Sequence, residues 1–318
     1  MKKAIANSSN LTLPGRESFW KYVKKNPVLY IMLAPVMLHI VLFCYVPMGG
    51  IVVGFMNFKV TQTYLENIRN NWVGFFHFEV LFTSPDFSRI MYNTIGISLL
   101  RFIFGFPAPI ILALLLNEIR NSKFKRTVQT ISYMPFFLSW VILAGLIISF
   151  LQLDGALNAF LGLFGLEPQM FLYNRSLFWP ILIITGIWSG IGFGTIIYLA
   201  GLSGVDVNLY EAAVIDGANR WQQTWHISLS SLKQTIVILL ILNAGNILNA
   251  GFEQIMLLKN EMVNSVAEVI DTYVYYKAFQ SGAFSFATAV GLFRSVTGLI
   301  LVVGSNWIAK KFGDSSLF

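Results

Sequence analysis

The side chains best able to do chemistry in this 318-residue chain are few and scattered. His39, His77 and His226 lie in different regions, and no cysteine or carboxylate cluster joins them at metal-ligand spacing, so no metal site is expected. The one cysteine, Cys44, sits inside an apolar run, can form no intrachain disulfide, and reads as a packing residue. Asp154, Glu167 and Glu253 share no local face on which an acid and a base could flank a glycosidic bond. A Gly-rich phosphate loop of the form GxxxxGK[ST] is absent, and no Gly-Lys dipeptide occurs at all. The chain therefore offers neither bond cleavage nor ATP hydrolysis of its own by the usual P-loop route.

What remains is binding chemistry. Arg101 and Arg294 each interrupt an otherwise apolar stretch, where a guanidinium is costly and faces a cavity or a polar partner. Each has two readings: it attracts a carboxylate in a pathway, or it bonds carbonyls and carboxylates between helices or snorkels to an interface. Asn243, Asn246 and Glu253 follow at offsets of three and seven, close to one helical face, while Asn249 lies off it. Amides exchange hydrogen bonds with hydroxyl groups, and in membranes they also tie helices together. Trp188 and Tyr198 offer ring faces for stacking or for plain packing.

The elements that carry these residues are membrane spans. Hydrophobic residues make up 56% of the chain and charged ones 12%, against roughly 25% charged in soluble proteins, which argues against a soluble globular enzyme. About 20 apolar residues cross a bilayer core, and residues 26–58, 127–153, 176–205 and 234–252 carry no Asp, Glu, Lys or Arg. Residues 90–117 and 278–309 carry one arginine each. An all-α polytopic membrane protein with six transmembrane helices follows, with spans near 28–55, 89–116, 128–151, 177–202, 235–258 and 287–308. Residues 1–27 read as a basic cytoplasmic tail and 28–318 as one six-span domain. The first apolar run is longer than a signal-peptide core and has no convincing cleavage site, so it reads as a retained span, kinked at Pro35 and Pro47.

With both termini cytoplasmic, fourteen of the 22 Lys and Arg residues fall inside and six outside, as the positive-inside rule requires. The net charge of +7 is then mostly a topology signal, and nucleic acid is not an expected partner. The outer connections span 59–89, 152–175 and 253–286. Their aromatic residues, Trp72 among them, read as interface anchors, and 269–279 as a short interfacial helix. The cytoplasmic connection 203–233 is the informative one. Glu211-Ala212-Ala213-Val214-Ile215-Asp216-Gly217 reads as a short helix closed by a left-handed glycine, with Asn208 as N-cap and Glu211 completing a box-like pattern. A second short helix is predicted after Asn219.

The run Glu211-Ala212-Ala213, then Gly217, then Ile227-Ser228-Leu229, resembles at matching spacing the EAA loop of permease subunits of bacterial ABC importers. That pattern ends in proline where this chain has Ser230. Residues 27–58, Phe106-Pro107-Ala108-Pro109 through Asn117-Glu118-Ile119-Arg120, 129–140 and 269–275 are similar to the polysaccharide-type permeases of the carbohydrate-uptake branch.

The resemblance implies a non-catalytic permease subunit in the bacterial cell membrane that translocates oligosaccharides, with ATP and Mg on partner subunits. It implies as partners a second homologous permease, two ATP-binding subunits, an extracytoplasmic solute-binding protein and the lipid bilayer. Tyr210, Glu211, Ala212, Ala213, Asp216 and Gly217 would form the coupling helix, with Glu211 paired to a basic residue of the ATPase. Arg101, Trp188, Tyr198, Asn243, Asn246, Glu253 and Arg294 would line the pathway, and the two arginines would suit an acidic, uronate-containing sugar. The alternatives are an ion-coupled secondary transporter, for which inverted repeats and broken helices are expected and neither is legible, and a non-transporting membrane scaffold.

Overall fold

The structure is a computed structural model that describes residues 23–312. The basic tail predicted for 1–27 lies largely outside the described residues. By internal packing the chain divides into two units, residues 1–52 and 53–318. All regular structure among the described residues is helical, apart from an isolated antiparallel bridge between Met56 and Trp72.

The first apolar run forms α1, Pro27–Phe55. It is a composite: Pro35 lies inside its first α-helical stretch, a widened π turn follows over Val41–Tyr45, and Pro47 enters the next short stretch. Proline removes an amide donor and crowds the preceding turn, so loosened turns belong beside it. Cys44 is exposed on this helix, so the packing role expected for it does not hold within the chain.

In the second unit, α2 (Tyr64–Asn70) and α3 (Phe76–Thr83) fill the connection after the first span. The central element is α4, Phe87–Glu118, which includes a π turn over Arg101–Gly105. Its residues enter all three cores: Ile97 packs with Ala144 and Leu182, Ile90 with Ile270 and Phe286, and Ile110 with Tyr198 and Leu232. The polar helix α5 (Ser122–Tyr133) comes next. The third span is then α6 (Trp140–Leu151) with α7 (Ala156–Gly162). A charge-free run from Thr127 is thus no continuous helix. Pro135 and the extended residues Leu138 and Ser139 break it, and Ser139 caps α6. The fourth span, α8 (Arg175–Ser203), is unbroken, as predicted.

Two short helices follow, α9 (Val207–Ile215) and α10 (Arg220–Ser231). The chain then bends by 58° into α11 (Lys233–Ala244). The fifth span is not the single helix expected over 235–258. It stops at Ala244, turns through Gly245–Ala250, passes Gly251 at φ +86°, and restarts as α12 (Phe252–Leu258). Broken helices, read as absent from the sequence, are therefore present. The connection after α12 carries α13, Ile270–Phe279, and α14, Phe284–Phe312, is the last span. Among the described residues five helices are long and apolar enough to cross a membrane, or six if α10 and α11 form one span.

Membrane helices pack closely where side chains are small, and α8 meets α5 in this way. A Cβ at Gly192 would lie 2.1 Å from the backbone oxygen of Ser132. No rotamer change can relieve a clash with backbone, so Gly192→Ala is expected to cost about 1–3 kcal/mol as overpacking does elsewhere. Gly190→Ala, two residues away with nothing within 4 Å, is the control and should gain a few tenths to about 1 kcal/mol in helix propensity. Thermal unfolding of the detergent-solubilised protein should separate them, and equal melting temperatures would refute the close-packing account.

Candidate functional site

Two places gather the residues singled out in the sequence: the hairpin α9–α10 and a polar cavity around Arg101. The hairpin is built from local hydrogen bonds. The chain is still extended at Asp206, whose carboxylate accepts from the Asn208 amide at 3.0 Å. Asp206, not Asn208, is therefore the N-cap. Asn208 is already helical, and Glu211 completes no capping box. An N-cap side chain satisfies an amide that the first turn leaves unpaired, and Asp206 reaches it first.

Gly217 ends α9 with φ +79°, and the Ala218 amide donates back to the Ala213 carbonyl at 2.8 Å. This is the left-handed closure expected there. Asn219 and Gln222 then form a reciprocal capping box at 2.8 and 2.9 Å, which starts the second helix where it was predicted. The Tyr210 hydroxyl meets Ser228 Oγ at 2.8 Å and ties the two helices together. Ser230, in the place of the family proline, does not prevent a turn: the bend into α11 is made at Leu232, which is completely buried.

The hairpin's outer face is unusual for its composition. Glu211, Ala212 and Asp216 are exposed, Ala213 is half-buried, and Glu211 pairs with no cation among the described residues. Around them Val207, Val214, Ile215, Trp221 and Trp225 are also exposed, Ile215 at 86%. An apolar patch rimmed by acidic groups is the mark of a protein contact surface. The hairpin reaches the body of the protein through Glu118 at the end of α4, which accepts from Thr224 Oγ1 at 3.2 Å and faces Arg220 Nη1 at 3.7 Å.

The second place lies where the broken fifth span crosses α4 and α8. A cavity of about 650 Å³ is lined by Arg101, Tyr198, Asn243, Asn246, Asn249 and Gly251 among others, and Arg101 is the one charged residue in its wall. An adjoining cavity of about 580 Å³ shares Arg101, Asn249 and Gly251 and adds Glu253, Asp271 and Arg294. Six of the seven predicted pathway residues thus come together. The helical-face argument for Asn243, Asn246 and Glu253 fails, however, because Glu253 belongs to α12; the turn, not a common face, gathers them. Trp188 stands apart, in an apolar groove of about 710 Å³ with Leu146, Phe150 and Ile184. Tyr198 is only 3% exposed and is mainly a core residue. Asn243 and Asn246 each donate to a carbonyl one turn back in their own chain, at 2.8 and 3.4 Å.

The two arginines differ. Arg294 is ion-paired with Asp271 of α13, which matches the interhelical one of its two readings rather than the pathway role. Burial pushes the Asp271 carboxyl up, the nearby Arg294 opposes this, and the net is a rise. Arg101 has no carboxylate partner among the described residues. Its Nη2 donates to Gln254 Oε1, and its Nε is buried with no hydrogen-bond partner. Ser98 Oγ, in the same wall, is also unpartnered. Gln254, unmarked in the sequence, is almost wholly buried. It is held by donating to the Leu182 carbonyl at 3.0 Å and to Thr185 Oγ1 at 2.7 Å on α8. The sequence carries no signal for it, since Gln254 follows Glu253 at the edge of the apolar run 255–258.

The sequence pattern of the family described as "Binding-protein-dependent transport system inner membrane component" matches residues 105–313. Protein LplB of Bacillus subtilis (strain 168) is 43% identical over 302 residues, covering 95% of this chain and 94% of that protein. The polygalacturonan/rhamnogalacturonan transport system permease protein YteP of the same organism is 46% identical over 291 residues, covering 91% and 90%. Among solved structures, a bacterial ABC transporter involved in the import of the acidic polysaccharide alginate matches with TM-score 0.84 and 39% identity, over 92% of this chain and 98% of that one. A bacterial alginate ABC transporter in complex with an alginate pentasaccharide-bound periplasmic protein matches with TM-score 0.85 and 38% identity, over 94% and 99%.

Proposed function

The chain belongs to the family of binding-protein-dependent transport system inner membrane components, and from that premise we propose that it is the permease subunit of an ATP-driven importer of acidic, uronate-containing oligosaccharides. It is a multi-pass protein of the cell membrane. In this reading residues 28–318 form the permease domain, preceded by a basic cytoplasmic tail, with both termini and the α9–α10 hairpin inside. The chain pairs with a second, homologous permease to enclose the pathway. Two ATP-binding subunits, which carry ATP and Mg, dock on the hairpin, and an extracytoplasmic solute-binding protein delivers the sugar.

The observation that carries the substrate class is the Arg101 guanidinium, which stands in a cavity wall with no carboxylate partner among the described residues. A cation left uncompensated in an apolar span costs free energy, and a sugar carboxylate arriving in the cavity offsets that cost through charge-assisted hydrogen bonds. The relatives named for polygalacturonan and alginate transport agree with this class. Asn243 and Asn246 suit sugar hydroxyls beside it. Arg294, already neutralised by Asp271, serves as a structural tie.

The hairpin reading rests on shape and charge. Close approach at Ala212 and Ala213, the exposed Glu211 and Asp216, and the turn at Gly217 fit a groove with a basic residue. Closure of the ATPase pair would draw the two hairpins of the permease pair together and swing the bundles between inward-open and outward-open.

The test is ATP turnover and uptake in proteoliposomes containing this chain, its partner permease, ATPase and binding protein. Uronate oligosaccharides should stimulate both, and neutral oligosaccharides of equal length should do so less. Stimulation by neutral sugars alone would overturn the substrate class. Uptake driven by an ion gradient without ATPase would overturn the importer reading.

A further inference from the structure

We infer that Gln254 is a specificity-determining positioning residue: its neutral amide holds the Arg101 guanidinium at the cavity wall without neutralising it, which leaves the charge available to an acidic sugar. The inference rests on the importer reading above and extends it to a residue that never needs to touch substrate.

The geometry is a clamp with three sides. Gln254 spends both donor hydrogens on α8, at the Leu182 carbonyl and Thr185 Oγ1, so its Oε1 is aimed at Arg101 and cannot be exchanged for the amide nitrogen without losing those bonds. Gly251 supplies the second side. A Cβ there would lie 2.3 Å from Arg101 Nη1, so the guanidinium rests against bare backbone. Gly186 of α8 supplies the third, with a Cβ position 3.9 Å from Arg101 Cζ. The break in the fifth span therefore has a local purpose. A continuous helix through 245–251 would not bring the start of α12, Gln254 included, against α4 and α8 in this way.

The choice of amide over carboxylate is the decisive part. Arginine inside a helical bundle usually acquires a carboxylate partner, as Arg294 does with Asp271. At Arg101 the same steric position is filled by glutamine, which accepts one hydrogen bond and carries no charge. No carboxylate among the described residues meets the remaining donors, and the buried Nε is unpartnered there. Glu253, the neighbouring residue, lines the adjoining cavity and is exposed, and it makes no ion pair with Arg101.

Gln254→Glu would place a carboxylate on Arg101 and supply internally what the substrate supplies in the native protein. The experiment uses the complete reconstituted transporter and reads uptake at several concentrations of a uronate oligosaccharide and of a neutral one of equal length. Gln254→Glu should lower the acidic-to-neutral ratio of kcat/KM by roughly tenfold to a hundredfold, the range for loss of charge-assisted hydrogen bonding, with the change mainly in KM. Gln254→Met, similar in length and uncharged, releases the guanidinium from its clamp but supplies no counter-ion, and should lose clearly less of the acidic preference than Gln254→Glu. Equal losses on both sugars in Gln254→Glu, or an unchanged ratio, would overturn the inference. So would loss of acidic preference in Gln254→Met as large as that in Gln254→Glu. A wild-type transporter indifferent to sugar charge would sink both this inference and the substrate class, whereas a charge-selective wild type with a charge-selective Gln254→Glu sinks the inference alone.

Discussion

Glu211→Lys is expected to stop ATP-driven uptake by the assembled transporter while leaving the spans folded. Glu211 is exposed and pairs with no cation among the described residues, and substitutions of that kind usually change stability by less than about 0.5 kcal/mol. The fold should therefore not register the change. Docking should. If Glu211 meets a basic residue of the ATPase in a desolvated groove, losing one partner of such a pair costs about 2–5 kcal/mol, and a like charge costs more. That is roughly a thirtyfold to several-thousandfold loss of affinity. Copurification with the ATPase and sugar-stimulated ATP turnover should both collapse, while the melting temperature of the isolated permease stays where it was. Retained ATPase binding and normal uptake in Glu211→Lys would remove the hairpin from the coupling role. The neighbouring exposed apolar residues Ile215 and Trp221 make a second arm: their replacement by serine should weaken docking without reversing any charge.

The other large effect belongs to Arg101. Arg101→Gln removes the one charged group in the wall of the 650 Å³ cavity, and uptake of uronate oligosaccharides should fall on the order of tenfold to a hundredfold or more, since hydrogen bonds to charged groups carry about 1.5–3 kcal/mol each. Arg101→Lys should retain only part of the activity. An ammonium keeps the charge but cannot present two parallel donors to a carboxylate, and it has no planar fork to lie against Gly251. Neutral oligosaccharides should be affected much less by either change. The reading fails if Arg101→Gln transports acidic sugars as well as the wild type, or if it loses acidic and neutral sugars alike with a lowered melting temperature, which would mark Arg101 as a packing residue.

Much of this arrangement was legible in the sequence, and the reasons for success and failure are physical. Spans such as α8 and α14 are legible nearly to their ends because a long apolar run with no charge, or with one arginine, leaves no alternative in a membrane. The closure of α9 at Gly217 was legible because a left-handed residue has a strong chemical preference. The start of α9 was misplaced by two residues because Asp206 and Asn208 are both good caps and only the backbone conformation at 206 separates them. The third and fifth spans depart from expectation for a common reason: hydropathy records that residues 127–153 and 234–252 carry no charge, not that the chain is continuous through them. Pro135 breaks the first and the Gly245–Gly251 turn breaks the second. The cavity was found through its costly residue, Arg101, but its support was missed. Gln254 differs from a membrane glutamine of no importance only in what it touches, and touch is a tertiary property.

The helix α4 carries both places at once. Arg101 stands near its middle, and Glu118, which meets Thr224 and Arg220 of the hairpin, stands at its end. Seventeen residues of helix separate them, about 25 Å. Thermodynamic linkage then gives the shared helix a consequence that runs in both directions. Whatever factor by which ATPase docking changes the affinity for sugar at Arg101, sugar at Arg101 must change the affinity for the ATPase by the same factor. On the proposed coupling, and wherever that factor differs from one, the grip of the ATPase on the hairpin would be a gauge of cavity occupancy, readable with no sugar ever having crossed.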